Sequence, residues 1–309
     1  MECKANALDY TKRYQVQVGS KKRNVQVHWK AIDALYTYNG KLGVTYTPEV
    51  TEFKLWAPLA STVSVLIFED GLNDDISYQK VLKRGDKGGW STQIEGDYFG
   101  KFHQFAVTNY EETNNILAPY AFSKAVDNSD GVIVGKAAIL DPSKIGPKLE
   151  YAKIEGFEKR EDAIIYEIHV RDFTSDPDLT TKAQFETYGA FTERIDYIKN
   201  LGVTHVQLLP VMSYALGNEL KPTHRELEYA TGVNYNWGYD PHGYFAPEGM
   251  YSKDPTDPAL RIQELKNLIN IVHSNGLGVT LDVVYNHTAV LSILEDIVPG
   301  YYHFIDATG

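Results

Sequence analysis

The sequence predicts a two-part chain, an antiparallel β-sandwich followed by a parallel α/β unit. Short β-prone runs separated by turn signals fill residues 33–150, and alternating strand and helix patterns fill 151–309. The change falls at Asp141-Pro142-Ser143-Lys144-Ile145-Gly146-Pro147, a linker-like stretch. With 309 residues the chain is long enough for two domains of about 150 residues each.

Residues 1–32 read as the β-rich tail of an upstream domain or as a linker. Polarity alternates in Tyr14-Gln15-Val16-Gln17-Val18 and again in Val25-Gln26-Val27-His28-Trp29, with Gly19-Ser20-Lys21-Lys22 as the turn between them. In the sandwich, 52–57, 62–68, 89–94 and 104–107 are the clearest strands, and the module is expected to complete its own core.

In the second half, 163–170 reads as a buried strand. Phe191, Ile195, Ile198 and Leu201 then share one helical face, and Gly202 stops the helix. A second strand covers 204–211. Asp257 and Pro258 open the next helix as N-cap and first residue, Ile262, Leu265, Leu268, Ile269 and Val272 face inward, and Asn275-Gly276 end it. Residues 279–284 form a third strand. Strands separated by helices pair in parallel. Val206, Leu208, Val279 and Leu281, or their neighbours, are expected on the sheet face away from the helices.

Composition narrows the function. Thirty basic against 41 acidic residues give a net charge of −11, which disfavours nucleic acid and anionic membranes and suits a neutral ligand. The 22 Tyr and 4 Trp can stack on sugar rings or fill β cores. The single Cys3 excludes an internal disulfide framework. No long apolar run and no signal-peptide core stand in the sequence, so a cytoplasmic location is expected unless an export signal precedes it.

Two places concentrate candidate chemistry. Asp282 is a carboxylate in the otherwise apolar third strand and needs partners, which Asn286 and His287 just beyond it can supply. Taken alone, this is either a hydrogen-bonded strand end or a site. The stretch 212–256 is far longer than ordinary connections and contains Tyr235-Asn236-Trp237-Gly238-Tyr239-Asp240-Pro241. Glu167, His169 and Arg171 alternate onto one strand face as a structural charge cluster.

These segments resemble type I pullulanases, starch-debranching enzymes of the α-amylase superfamily (glycoside hydrolase family 13). Asp282-Val283-Val284-Tyr285-Asn286-His287-Thr288 is similar to the first conserved region of that superfamily, and the run at 235–241 matches the pullulanase form of its motif. Phe245-Ala246-Pro247-Glu248-Gly249-Met250-Tyr251 and Tyr166-Glu167-Ile168-His169-Val170-Arg171-Asp172-Phe173 match the same family. The run Phe53-Lys54-Leu55-Trp56-Ala57-Pro58-Leu59-Ala60 resembles a carbohydrate-binding module of family 48.

The resemblance implies a family 48-like sandwich over 33–150 and, over 151–309, the first three βα units of a TIM (β/α)8 barrel. It implies that Tyr239 stacks under the sugar at subsite −1, with Trp237 beside it in the same motif. His287 would donate to that sugar, and Asp282 and Asn286 would hold the site's shape. The implied reaction is retaining, two-carboxylate hydrolysis of α-1,6-glucosidic linkages in pullulan, limit dextrin or glycogen. The nucleophilic Asp and the acid Glu of the family follow later strands, beyond Gly309. No catalytic carboxylate is therefore assigned within 1–309, and Asp240, Glu248 and Asp282 are not substitutes. The alternative is an inactive chain that at most binds glycan. No cofactor is required; in some relatives the Asn at position 286 helps bind calcium. The expected partner is an α-glucan, with no nucleic acid and no membrane.

Overall fold

The computed structural model describes residues 8–127, 134–220 and 236–304. Tyr235 of the long loop lies outside them. The chain opens with a hairpin of β1 (Tyr14–Val18) and β2 (Lys21–Val25), in which Val18 pairs with Lys21. Gly19, at φ +61°, supplies the left-handed residue of a two-residue turn. The second strand is thus earlier than the alternation at 25–29 suggested. His28 instead caps α1 (Trp29–Tyr36), its Nδ1 accepting the Lys30 N–H at 3.2 Å.

The sandwich strands are β3 (Gly43–Tyr46), β4 (Val50–Trp56), β5 (Thr62–Phe68), β6 (Ile76–Val81), β7 (Lys83–Arg84), β8 (Gly89–Glu95), β9 (Phe102–Asn109), β10 (Glu112–Ile116) and β11 (Ala137–Ala138). One antiparallel sheet runs β3-β4-β8-β7. The other runs β10-β9-β5-β6, with β11 added to β9. Alternation decides the packing in β4, where Thr51, Phe53 and Leu55 are buried between partly exposed neighbours. Phe53 and Leu55 meet Val63, Val65, Ile67, Phe105 and Val107 across the inter-sheet space.

The sandwich does not complete its own core, contrary to expectation. Ile297 and Val298, from far along the chain, are fully buried in that same cluster. Asn109 Nδ2 donates to the carbonyls of Asp296 (2.7 Å) and Ile297 (3.4 Å), and the Tyr301 hydroxyl donates to Asp33 at 2.7 Å. β5 is buried on both faces because Leu66 and Phe68, on its outer side, pack with Ile145 of the linker stretch and Ile262 of the second half. The two halves therefore share apolar surface at two places.

The second half contains β12 (Ile165–Ile168), α2 (Tyr188–Thr192), α3 (Ile195–Asn200), β13 (His205–Leu208), β14 (Met212–Tyr214), β15 (Pro241–Pro247), α4 (Pro258–Ser274), β16 (Gly278–Leu281) and α5 (Ser292–Glu295). β12, β13 and β16 pair in parallel in that order, with Ile165, His205 and Gly278 level. β14 and β15 form a separate antiparallel pair inside the long loop.

The first predicted helix is broken at Glu193 and Arg194. The Glu193 carboxylate accepts the N–H groups of Lys182 (2.8 Å) and Ala183 (2.7 Å), holding that turn to the preceding loop. Leu201, expected on the inward face, is exposed. α4 follows its sequence signals: Asp257 accepts the N–H groups of Ala259 (2.9 Å) and Leu260 (3.2 Å), and Gly276 at φ +79° follows the last turn. Asp257→Ala is expected to lower stability by about 1 kcal/mol through loss of this cap, read as a lower urea midpoint with unchanged slope.

Val206 and Leu208 are buried against Phe191, Ile195, Ile198, Leu268 and Val272, and Val279 packs on the same cluster. They face the helices, not the opposite side. The register instead gives the opposite face to Glu167, Gln207 and Thr280. The expected charge cluster divides for the same reason. Glu167 stays in the strand and accepts the Gln207 Nε2–H at 2.7 Å. His169 and Arg171 follow the strand end and are buried, His169 Nε2 against the Tyr251 hydroxyl (3.1 Å) and Arg171 donating to Asn236 O (3.2 Å).

Candidate active-site wall

In parallel α/β barrels, functional groups gather where the strands end and the loops begin. Asp282 stands one residue past β16 and extends the ladder, its N–H donating to Leu208 O at 2.9 Å. Its Oδ2 accepts the Tyr239 hydroxyl at 2.6 Å. Burial, reinforced by this hydrogen bond, pushes the Tyr239 phenol up to about 12, so it remains a neutral donor.

The loop that delivers Tyr239 is tightly specified. Asn236 Oδ1 accepts the Gly238 N–H at 2.8 Å, and its Nδ2 donates to Asp240 Oδ2 at 2.9 Å. Gly238 has φ +90°, and a Cβ there would lie 2.9 Å from the Pro210 carbonyl oxygen. Only glycine meets both demands at once.

His287 Nε2 lies 2.8 Å from Tyr239 O and, since a carbonyl can only accept, donates to it. The His287 carbonyl in turn accepts the Tyr244 hydroxyl at 3.1 Å. The structure thus joins Tyr239, Asp282 and His287. Neither Asn286 nor His287 is the donor that the sequence suggested for Asp282; Tyr239 is, because the strand ends at Leu281 and the chain turns away. Asn286 and Trp237 are both exposed. Among the described residues no three His, Cys, Asp or Glu side chains group to hold a metal ion.

A buried ionic cluster escaped the sequence reading. Arg261, on α4, donates from Nη2 to Glu219 Oε2 at 3.0 Å, and the Asp127 N–H donates to the same oxygen at 3.0 Å. Lys124 Nζ lies 3.7 Å from Glu219 Oε1, so the cluster spans the two halves. Glu248, also buried, accepts the N–H groups of Tyr214 (3.1 Å) and Met250 (2.9 Å). Arg261 was detectable in principle: it lies at helical spacing with Leu265, Leu268 and Val272, a charge within an apolar stripe.

The two carboxyl groups titrate in opposite directions. Burial pushes Glu248 up to about 8, with the charge of Glu219 adding to it. Burial also raises Glu219, but Arg261 and Lys124 outweigh it and hold the group at about 2. Glu248 therefore binds its proton more tightly when folded, and its contribution, full below the ordinary carboxylate range, is lost as pH rises to about 8. The Glu219 contribution is present above that range and lost as pH falls toward about 2. Urea unfolding across pH should show a decline from mildly acidic to mildly alkaline conditions that Glu248→Gln removes.

Comparison with known proteins agrees with this architecture. A model of carbohydrate-binding module 48 (isoamylase N-terminal domain) matches residues 41–121, and one of the alpha amylase catalytic domain matches residues 178–295. Fold and matches together define a carbohydrate-binding-module sandwich joined to a segment of an α-amylase-type catalytic domain. Pullulanase A of Streptococcus pneumoniae serotype 2 is 46% identical over 96% of this chain, and the pullulanase of Bacillus subtilis is 35% identical over 90%. The product complex of a multi-modular glycogen-degrading pneumococcal virulence factor, SpuA, superposes with a TM-score of 0.90 at 44% identity over 96% of this chain and 32% of its own. The GBS pullulanase SAP in complex with maltotetraose superposes at 0.86 with 42% identity, over 92% of this chain and 38% of its own. In sequence and structure the chain is similar to these pullulanases. It spans 25% of the length of the pneumococcal relative and 38% of the Bacillus one. Among the described residues no helix is long and apolar enough to cross a membrane.

Proposed function

We propose that this chain supplies the sandwich and the first wall of the active site of an enzyme that hydrolyses α-1,6-glucosidic branch linkages in an α-glucan. The Tyr239–Asp282–His287 constellation at the strand ends carries this reading. Asp282 fixes the Tyr239 ring from one end at 2.6 Å and His287 fixes its backbone from the other at 2.8 Å, so an aromatic face is held ready for a sugar ring. The similarity to pullulanases and a structural neighbour's maltotetraose complex support an α-glucan as the ligand.

Retaining hydrolysis needs two carboxyl groups about 5–5.5 Å apart, one as nucleophile and one as acid. The carboxylates around this wall are committed elsewhere: Asp282 to Tyr239, Asp240 to Asn236 and Glu167, whose charge reaches Tyr239, to Gln207. The wall would therefore position substrate for carboxylates supplied by further strands of a complete barrel. In a polypeptide carrying the whole catalytic domain, maltotriose should be released from pullulan. The 309-residue chain should release none. Release of maltotriose by the purified 309-residue chain, abolished by a substitution within it, would refute this division of roles.

A further inference from the structure

His287 sits in the turn 285–289, which belongs to no helix or strand, so neighbouring elements must fix its shape. β15 supplies most of that support, at alternate residues of the turn. The Tyr285 ring stacks on Tyr244 with centroids 5.6 Å apart and planes 27° apart. The His287 carbonyl accepts the Tyr244 hydroxyl at 3.1 Å, and the Ala289 N–H donates to Pro241 O at 3.0 Å. Thr288, on the other side, is buried, its hydroxyl donating to Val290 O at 2.8 Å with His303 Nε2 at 3.3 Å.

These supports differ in what they decide. The Ala289 bond joins two backbones and does not depend on any side chain. Tyr285 is 78% exposed, so its ring orients Tyr244 more than it anchors the turn. The Tyr244 hydroxyl, by contrast, holds the His287 carbonyl itself. A planar peptide unit pinned by its carbonyl has its rotation about the preceding Cα fixed, and the direction of the His287 side chain is set with it. Burial, with Tyr285 adding to it, raises the Tyr244 phenol, so the hydroxyl keeps the proton that it donates. A circuit closes: Tyr244 holds the His287 carbonyl, His287 holds the Tyr239 carbonyl at 2.8 Å, and Tyr239 and Tyr244 belong to one continuous segment.

We propose that Tyr244 is a positioning residue of this wall, its hydroxyl holding the His287 backbone so that the imidazole meets Tyr239. It acts through His287, with its own oxygen spent on the carbonyl and one face of its ring against Tyr285. The effect on His287 rests on the geometry alone; the effect on hydrolysis rests also on the debranching reading above.

Tyr244→Phe tests this, since it keeps the ring and its stack and removes the hydroxyl alone. In the 309-residue chain, NMR cross-relaxation between the His287 ring and the Tyr239 backbone should weaken several-fold in the variant, with an unchanged melting temperature. In a polypeptide carrying the complete catalytic domain, kcat on pullulan should fall about three- to ten-fold, the range set by one hydrogen bond, with KM nearly unchanged. In a His287→Ala background the same substitution should cost no more than about two-fold, because its route of action is gone. Unchanged cross-relaxation would overturn the proposal. So would losses that multiply in full in the double variant, which would mean that Tyr244 works independently of His287. Weakened cross-relaxation with wild-type kcat would overturn the part in hydrolysis where Tyr239→Ala is itself impaired. Were Tyr239→Ala also at wild-type kcat/KM, the hold on His287 would stand and the debranching reading would fall.

Discussion

Replacing Glu219 with alanine is expected to destabilise the folded chain by about 3–5 kcal/mol, the cost of breaking a buried ion pair from one side. The substitution leaves Arg261, fully buried, and Lys124, at 1% exposure, without the carboxylate they share. It also removes the acceptor of the Asp127 N–H. The loss is partly offset by Glu248. Freed from the Glu219 charge and still facing two cations, its carboxyl ionises more readily although burial still raises it, so the decline in stability toward pH 8 should be smaller in Glu219→Ala. Urea unfolding at several pH values reads both effects. A loss below about 1 kcal/mol, with the alkaline decline intact, would mean that the cluster does not couple the two halves.

Legibility in the sequence followed the range of the interactions. β4 was readable because side-chain alternation is local, and α4 because Asp257-Pro258 and Asn275-Gly276 mark its ends within the helix itself. The break between α2 and α3 was not, since it depends on Glu193 reaching Lys182 and Ala183 across a loop. Closure of the sandwich core by Ile297 and Val298 joins residues nearly 190 positions from Asn109, and no periodicity reports such a contact. At the wall, the residue types were legible from the motif resemblance, whereas their pairing was not. Asp282 was matched with its sequence neighbours Asn286 and His287, yet its partner is Tyr239, 43 residues away. Gly238 stands in that motif for a physical reason: a tyrosine delivered from a sharp turn needs a residue free to take a positive φ.

In a polypeptide carrying the complete catalytic domain, Tyr239→Ala is expected to lower kcat/KM on pullulan by about 2–4 kcal/mol of transition-state stabilisation. The ring is the one aromatic face that Asp282 and His287 hold in place together, so its loss removes both the sugar platform and the purpose of its supports. Tyr239→Phe separates these contributions. It keeps the face and loses only the 2.6 Å hydrogen bond to Asp282, so the penalty should be smaller and should appear when Asp282→Ala, which removes the acceptor, is made instead. Gly238→Ala tests the delivery. With φ at +90° and the Pro210 oxygen 2.9 Å from the new methyl carbon, the loop must shift, and activity should fall although no sugar-contacting atom has been removed. Steady-state kinetics on pullulan, with melting temperatures to exclude global unfolding, order the variants. Near-wild-type kcat/KM for Tyr239→Ala would remove this ring from the sugar subsite.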